Sequence, residues 1–352
     1  MKILHIFNVE KGLYFAKLLI ECINLSGHFN PSMHDFCIRT REAKEIQNFK
    51  NVFFDNNVGS VVHKYIDKYD YIFLHGLTSP DELNELPKQH LNKIIWRTWG
   101  GSSGLYPIKR KNIFLYLNDV RRKNKKLKII NKMPFVCGAN TIDLIDTRQN
   151  AEHFHVFPYP IKDRVFTKNI QSNSGRTLKI LVGHSAFKSD KHDAVLSKLQ
   201  EIASCDIKII VPLTYGSNEY KEKIINKWKN VFGHKITFLT DQLSFSDYYS
   251  LIATTDLFFL IGDRSYALGN IDIALRNGVN IVLSKRGIIR KGFIKENINH
   301  YVFEKINLKK DFMSYKTKNN ISFYTTLISN YDSDIRQLCL VFDALKERRK
   351  QL

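Results

Sequence analysis

RTLKILVGHSAFKSDKHD, residues Arg176 to Asp193, opens with an apolar run of strand length, Leu178 to Val182, that stops at Gly183. Beyond it Ser185, Ser189 and Asp190 are each able to cap the start of a helix. A strand ending in glycine and small hydroxyl residues before a helix is how α/β proteins hold phosphate. The backbone approaches closely, and the unpaired N–H groups of the helix start attract the anion. Lys188 adds a cation to the same loop. The pattern also serves as a plain βα connection that binds nothing, so the remainder of the chain has to decide.

At 352 residues the chain is long enough for two α/β domains, each with its own core. Apolar residues make up 43% and charged residues 25%, a balance that excludes general disorder. Cys22, Cys37, Cys137, Cys205 and Cys339 are scattered and form no C-x-x-C pair, which favours a reducing compartment and argues against a zinc site. The opening MKILHIF is too short an apolar run for a signal peptide, and no segment reaches the roughly 20 apolar residues that span a bilayer. The expectation is a cytoplasmic protein able to lie on a membrane.

Fifty-four Lys and Arg against 34 Asp and Glu leave a net charge of +20, which calls for a polyanionic partner: nucleic acid, a phosphorylated substrate or an anionic lipid surface. Much of the excess is local. Between Lys109 and Lys132 there are ten basic residues and one acid, Asp119, with the apolar block Ile113 to Leu117 among them. A basic helix bearing aromatics reads as a membrane-surface contact, carried by Lys109, Arg110, Lys111, Arg121, Arg122, Lys125 and Lys126. The alternative is a solvated helix face.

Strand-like and helix-like segments alternate along the chain, giving parallel sheets covered on both faces. In the first half, strands are expected at Ile3 to Phe7, His34 to Ile38, Val52 to Phe54, Tyr71 to Leu74, Ile94 to Trp99, Lys128 to Asn131, Phe135 to Cys137 and His153 to Phe157. Helices are expected at Tyr14 to Leu25 and near Thr141 to Arg148. Pro158 to Arg176 reads as a connection. The second half restarts with strands at Leu178 to Val182, Ile207 to Val211, Ile236 to Leu239, Leu257 to Ile261 and Asn280 to Leu283. This places an N-terminal domain over 1–160, a linker over 161–176, a second domain over 177–331, and a last helix within 332–352, capped by Ser333 and able to pack back on the first domain. The C-terminal strand ends of both Rossmann-like domains are expected to face a central cleft.

Neither G-x-G-x-x-G nor the P-loop is present, which lowers the dehydrogenase and NTPase readings. The D-x-D at Asp332 to Asp334 opens the last helix, where capping explains it, so no metal or cofactor is expected. A better constellation follows Leu257 to Ile261, in Gly262-Asp263-Arg264-Ser265-Tyr266-Ala267-Leu268-Gly269-Asn270. This is a second strand, glycine loop and helix start, and Arg264 brings a fork suited to phosphate. Two such loops suit a nucleotide diphosphate.

The motifs Leu74-His75-Gly76, Trp96-Arg97-Thr98-Trp99-Gly100 and Leu181-Val182-Gly183-His184-Ser185 with Lys188, Ser189 and His192 are joined by others further on. These are Val211-Pro212 with Tyr215 and Tyr220, Tyr248 with Asp256, and Arg264 with Gly269 and Gly278. In that order they resemble glycosyltransferase family 56, the transferases that move 4-acetamido-4,6-dideoxygalactose from its dTDP donor to a lipid-linked intermediate of enterobacterial common antigen. The resemblance implies a GT-B fold, with the acceptor handled by the N-terminal domain and the nucleotide-sugar by the C-terminal one. Three places depart from the family. His184 stands where asparagine is usual, Gly101 where an aspartate follows tryptophan-glycine, and Ala267 to Asn270 replace a loop with one more glycine and a threonine. These changes leave the fold intact and bear on which sugar is carried.

Physics and resemblance together give a set of expected site residues. The donor is assigned to Gly183, Ser185, Lys188, Ser189, His192, Tyr215, Tyr220, Arg264, Gly269 and Asn270, with the N–H groups after Gly183 and Gly269 stabilising the leaving diphosphate. Trp96, Trp99 and Gly100 are expected to meet the acceptor, and His75, with Glu10 as the second candidate, to act as base. The expected partners are a nucleotide-sugar, a lipid-linked saccharide and the anionic inner face of the cell membrane, and no nucleic acid. A nucleic-acid-binding protein and a non-catalytic sugar-nucleotide-binding protein are the alternatives. The first would leave the loops at Gly183 and Gly269 idle, and the second would lack a base.

Overall fold

The computed structural model describes residues 1–8, 13–39, 46–55, 58–76, 86, 88–99, 113–139, 142–144, 151–160, 177–310, 314 and 331–351. The chain forms two compact units, one of Met1–Arg164 with Ser329–Leu352 and one of Val165–Ile328. Each is built on a parallel sheet.

In the first unit the strands are β1 (Ile3–Asn8), β2 (His34–Arg39), β3 (Val52–Phe54), β4 (Tyr71–His75), β5 (Ile94–Arg97), β6 (Val136–Gly138) and β7 (Phe154–Val156). Their order is β3-β2-β1-β4-β5-β6-β7, all parallel. Order reverses between β1 and β4, the point at which a doubly wound sheet opens to ligands beyond its carboxyl edge. Helices α1 (Leu13–Leu25), α2 (Val58–Tyr65) and α3 (Ile113–Ile130) cover it. Alternation along β1 assigns the faces: Ile3 and Phe7 pack with α1, and Leu4 and Ile6 with the side that holds Val61, Val62, Trp96 and Ile130.

The second unit has β8 (Leu178–Val182), β9 (Ile207–Pro212), β10 (Ile236–Leu239), β11 (Leu257–Leu260), β12 (Asn280–Leu283) and β13 (Tyr301–Val302) in the order β10-β9-β8-β11-β12-β13. Between them run α4 (His192–Leu199), α5 (Asn218–Phe232), α6 (Phe245–Ala253), α7 (Leu268–Arg276) and α8 (Ile288–Lys295). Here the order reverses between β8 and β11, so the two glycine loops read from the sequence flank one switch point.

The last helix, α9 (Tyr331–Gln351), belongs to the first unit. Its stripe of Ile335, Leu338, Val341, Phe342 and Leu345 is buried with Ile3, Phe7 and Phe73. Each such side chain contributes about 1.5–3 kcal/mol when fully buried. Arg349 pairs with Asp70 at 3.1 Å, and the Tyr71 hydroxyl donates to the Leu345 carbonyl at 3.3 Å.

Three local expectations are corrected. Lys128 to Asn131 is not a strand, because Lys128, Ile129 and Ile130 form the last turn of α3, where Ile130 reaches the core. Ser333 does not cap α9, which already begins at Tyr331. Strand β5 ends at Arg97, so Trp99 lies beyond it. The expected helix near Thr141 to Arg148 lies outside the described residues except at 142–144.

Candidate functional site

Gly183 ends β8 with φ +68°, and a side chain there would come within 2.6 Å of His192 Nε2 and 3.1 Å of Asp190 Oδ2, so only glycine fits. The loop that follows is closed by a carboxylate of its own. Asp190 Oδ2 accepts from His184 N at 2.9 Å, His184 Nδ1 at 2.8 Å, Ser185 N at 3.0 Å and Ser185 Oγ at 3.1 Å. Burial on its own would raise the pKa of Asp190, but the side-chain bond, charge and backbone bond of His184 hold it below the usual carboxylate range. The two amides and the Ser185 hydroxyl expected to hold phosphate are therefore occupied. Neither Ser189 nor Asp190 caps α4, which starts from Lys191 in a left-handed conformation (φ 55°) with no side-chain cap.

Lys188 is exposed beside this loop, and Ser189 Oγ reaches Asp190 Oδ1 at 3.5 Å. His192 and Tyr220 are corrected from ligand contacts to core. His192 is fully buried with Nδ1 3.3 Å from the Tyr220 hydroxyl, and burial depresses its pKa to about 4. Tyr220 is buried in the cluster around α4 and α5. Tyr215 remains at the surface of the loop, its ring edge-on to His184 at 5.9 Å and its carbonyl taking the Ala186 amide.

Across the switch point, Gly262 N donates to the Tyr266 hydroxyl at 2.7 Å, and the Tyr266 ring lies 4.8 Å from that of His184. Lys191 and Asp263 join the two loops at 2.9 Å. Ala267, in a left-handed conformation with φ 52°, turns the chain into α7 without any side-chain cap. The first intrahelical amide is that of Ile271, bonded to the Ala267 carbonyl, so the amides of Leu268, Gly269 and Asn270 are the ones a helix cannot satisfy internally. Gly269 is exposed, with open space where a side chain would stand. Asn270 Nδ2 is fixed on the Tyr248 hydroxyl at 2.8 Å. Beside this helix start, Arg264 is half-buried and its Nε is sealed from solvent without a hydrogen-bond partner among the described residues. A desolvated, unsatisfied guanidinium nitrogen next to an uncapped helix start suits a multiply charged anion.

In the first unit, the sequence-assigned base His75 closes β4 but is buried with both ring nitrogens taken. Nδ1 lies 2.8 Å from the Tyr159 hydroxyl and Nε2 3.1 Å from His5 Nδ1. His5 Nε2 continues to His34 Nδ1 at 3.1 Å, and Trp99 Nε1 donates to Tyr159 at 2.9 Å from the other end. Trp99 has only a proton to give, and with the Tyr159 hydroxyl donating in turn to His75, each neutral imidazole passes one N–H to the next. His75 is thus a member of an internal chain, which corrects its assignment as base. Trp96 is likewise corrected from acceptor platform to core, being fully buried among the residues around α2 and α3. Trp99 is half-buried, 5.8 Å from the Phe15 ring. Glu10, Gly100, Lys109, Arg110 and Lys111 lie outside the described residues.

On α3, Arg121, Arg122 and Lys125 are exposed, whereas Lys126 is only 7% exposed and is corrected from surface contact to buried residue. The helix opens with a run of exposed apolar side chains from Ile113 to Leu117, of which Phe114 is 74% exposed. Among the described residues no helix is long and apolar enough to cross a membrane.

Three solved structures share the fold over nearly the whole chain. HepE from Anabaena, solved in complex with UDP and glucose, has a TM-score of 0.64 at 12% identity, covering 97% of this chain and 99% of its own. Sucrose-phosphate synthase from Thermosynechococcus elongatus gives 0.64 at 10% identity, covering 99% and 100%. A glycosyltransferase from Rickettsia africae gives 0.63 at 10% identity, covering 98% of each chain. At such identities the likeness establishes the fold, that of the GT-B glycosyltransferases. The family model described as 4-alpha-L-fucosyltransferase, glycosyl transferase group 56, matches residues 56–338, and the chain belongs to that family of nucleotide-sugar glycosyltransferases.

Proposed function

We propose that this enzyme transfers a deoxy-amino sugar from a dTDP-linked donor to a polyprenyl diphosphate-linked saccharide at the inner face of the cell membrane, in bacterial surface polysaccharide synthesis. The observation that carries the donor half is the unsatisfied Nε of Arg264 beside the uncapped start of α7. As the sugar–oxygen bond breaks, the leaving diphosphate gains charge, and a fixed cation with oriented amides stabilises that charge without reorganisation. Lys188, exposed on the facing loop, adds a second cation. HepE, crystallised with UDP and glucose, is an instance of a nucleotide held by a protein of this fold. With His75 enclosed, the role of base passes to Glu10, two residues past the end of β1 in sequence. Incubating the purified protein with radiolabelled dTDP-sugar and bacterial membrane extract is expected to move label into the lipid fraction, also in the presence of EDTA. Label that stays in the aqueous phase with every nucleotide-sugar tried contradicts the reading.

The membrane half rests on α3. Exposed Arg121, Arg122 and Lys125 follow an exposed apolar first turn and a half, the composition of a helix that lies in a headgroup layer. Each basic residue near an anionic surface contributes about 1 kcal/mol, so reversing all three to Glu removes at least about 3 kcal/mol. The triple variant is expected to remain in the supernatant when anionic vesicles are sedimented, while its nucleoside diphosphate affinity stays at the parental value. Co-sedimentation equal to the parent's would assign the helix to solvent.

A further inference from the structure

The loop after β8 presents a problem that the donor reading has to answer. It carries a buried carboxylate, that of Asp190, whose side chain is 0% exposed, at the place where a diphosphate is to be bound. An anion beside an anionic ligand repels it unless a cation stands between them. Among the described residues, the donors on Asp190 Oδ2 are two amides, one hydroxyl and one imidazole nitrogen, and only the last belongs to a group able to carry charge. His192, the neighbouring imidazole, is kept neutral by burial.

His184 is built for that position. Its Nδ1 is held by Asp190 at 2.8 Å. Its ring is fixed between Tyr266, at 4.8 Å and 34°, and Tyr215, at 5.9 Å and 79°. Tyr266 is itself tied to Gly262, two residues before Arg264, so the ring sits where the β8 and β11 loops meet. The other nitrogen, Nε2, has no hydrogen-bond partner among the described residues and is not sealed from solvent. A ring with one nitrogen anchored on a buried carboxylate and the other open is oriented to address a ligand.

We propose that His184 is a catalytic residue of the donor site, hydrogen-bonding the terminal phosphate of the departing nucleoside diphosphate through Nε2–H while its charge neutralises Asp190. The proposal rests on the donor reading above. In the transfer, the bond between the sugar's anomeric carbon and the phosphate oxygen breaks and its electron pair stays on that oxygen. The acceptor oxygen forms the new bond to the anomeric carbon and releases its proton to Glu10, the base of that reading. His184 keeps its proton throughout. The groups against it among the described residues are Asp190 on its own loop, His192 at the start of α4, Tyr215 after β9 and Tyr266 after β11.

The test is His184→Asn, whose side-chain amide is able to take over the bond to Asp190 while the charge and Nε2 are lost. Calorimetric titration with UDP and dTDP is expected to give diphosphate affinity weaker by about tenfold or more, the effect of one charge-assisted hydrogen bond. The affinities for UMP and dTMP, which lack the terminal phosphate, are expected to stay within about twofold of the parent's. Equal losses for mono- and diphosphates, or no loss for the diphosphates, would overturn the assignment. Nitrogen chemical shifts of the wild-type His184 ring supply a second measurement, independent of the variant's folding: both nitrogens protonated at neutral pH supports the proposal, and a neutral tautomer overturns it. A wild-type protein that binds neither diphosphate removes the donor site itself, whereas undiminished diphosphate binding by the variant removes His184 alone.

Discussion

Between about pH 6.5 and pH 5 the first unit is expected to lose stability at a rate approaching 4 kcal/mol per pH unit, because three histidines that titrate in the unfolded chain do not titrate in the folded one. His5 and His75 are held well below the ordinary histidine value by burial first, and then by the charge of neighbouring His75 and His34 for the one and Arg97 for the other. Burial takes His34 down to about 4, against the opposing pull of Asp35. For a base with a depressed folded pKa, the unfolded state binds the proton first. Stability is therefore whole above the unfolded pKa and falls as pH drops below it, by about 1.4 kcal/mol per unit for each ring, until the folded rings themselves accept protons. The chain His34–His5–His75–Tyr159–Trp99 lies on the sheet face against Phe342 of α9, so its loss reaches both elements. Urea unfolding of a Trp228→Phe variant, in which Trp96 and Trp99 report on the first unit, is expected to show midpoints falling steeply across this range, and His34→Gln to reduce the slope by about a third. A midpoint that does not move between pH 7 and pH 5 would mean that these rings take up protons without unfolding.

The architecture was legible because both sheets are parallel and buried. Strands of that kind are short, mainly apolar runs, as at Val52–Phe54, Leu178–Val182, Ile236–Leu239 and Asn280–Leu283, where sequence and structure agree to the residue, and Gly183 closes the second of them at once. Shorter apolar runs misled. Lys128 to Asn131 holds the apolar pair Ile129-Ile130, yet Ile130 is the core-facing end of a long basic helix, and the two-residue strand β13 leaves no run to read. The switch point was legible more readily than the roles of the residues around it. Gly183 and Gly262 do flank one switch point, but composition cannot say that Asp190, seven residues past Gly183, folds back to take the amides expected to hold an anion. An acid within a glycine-serine loop was the available signal. The histidine chain gave a weaker one: His5 shares its parity with Ile3 and Phe7, which places it on a buried face, while its pairing with His34 and His75 depends on a register across three strands.

Arg264 separates binding from stability in a way few surface arginines would. Its Nε is out of solvent and lacks a partner among the described residues, which costs the free protein on the order of 1–3 kcal/mol of desolvation, offset when a ligand supplies an acceptor. Groups held in that condition mark sites where function is kept at the expense of stability. Replacing Arg264 with Ala should thus leave the melting temperature of the second unit unchanged or higher. The same change should weaken nucleoside diphosphate binding by about 1.5–3 kcal/mol, roughly 10- to 100-fold, since a charge-assisted bond is lost and none replaces it. A structural arginine would give the opposite pair of results, with lower stability and unaltered binding. Calorimetric titration of dTDP into the parent and the Arg264→Ala variant, each checked by thermal melting, is the most direct measurement of whether the donor diphosphate binds between Arg264 and the start of α7. The account predicts that 10- to 100-fold loss of affinity without loss of stability. Equal affinity in the two proteins would contradict it.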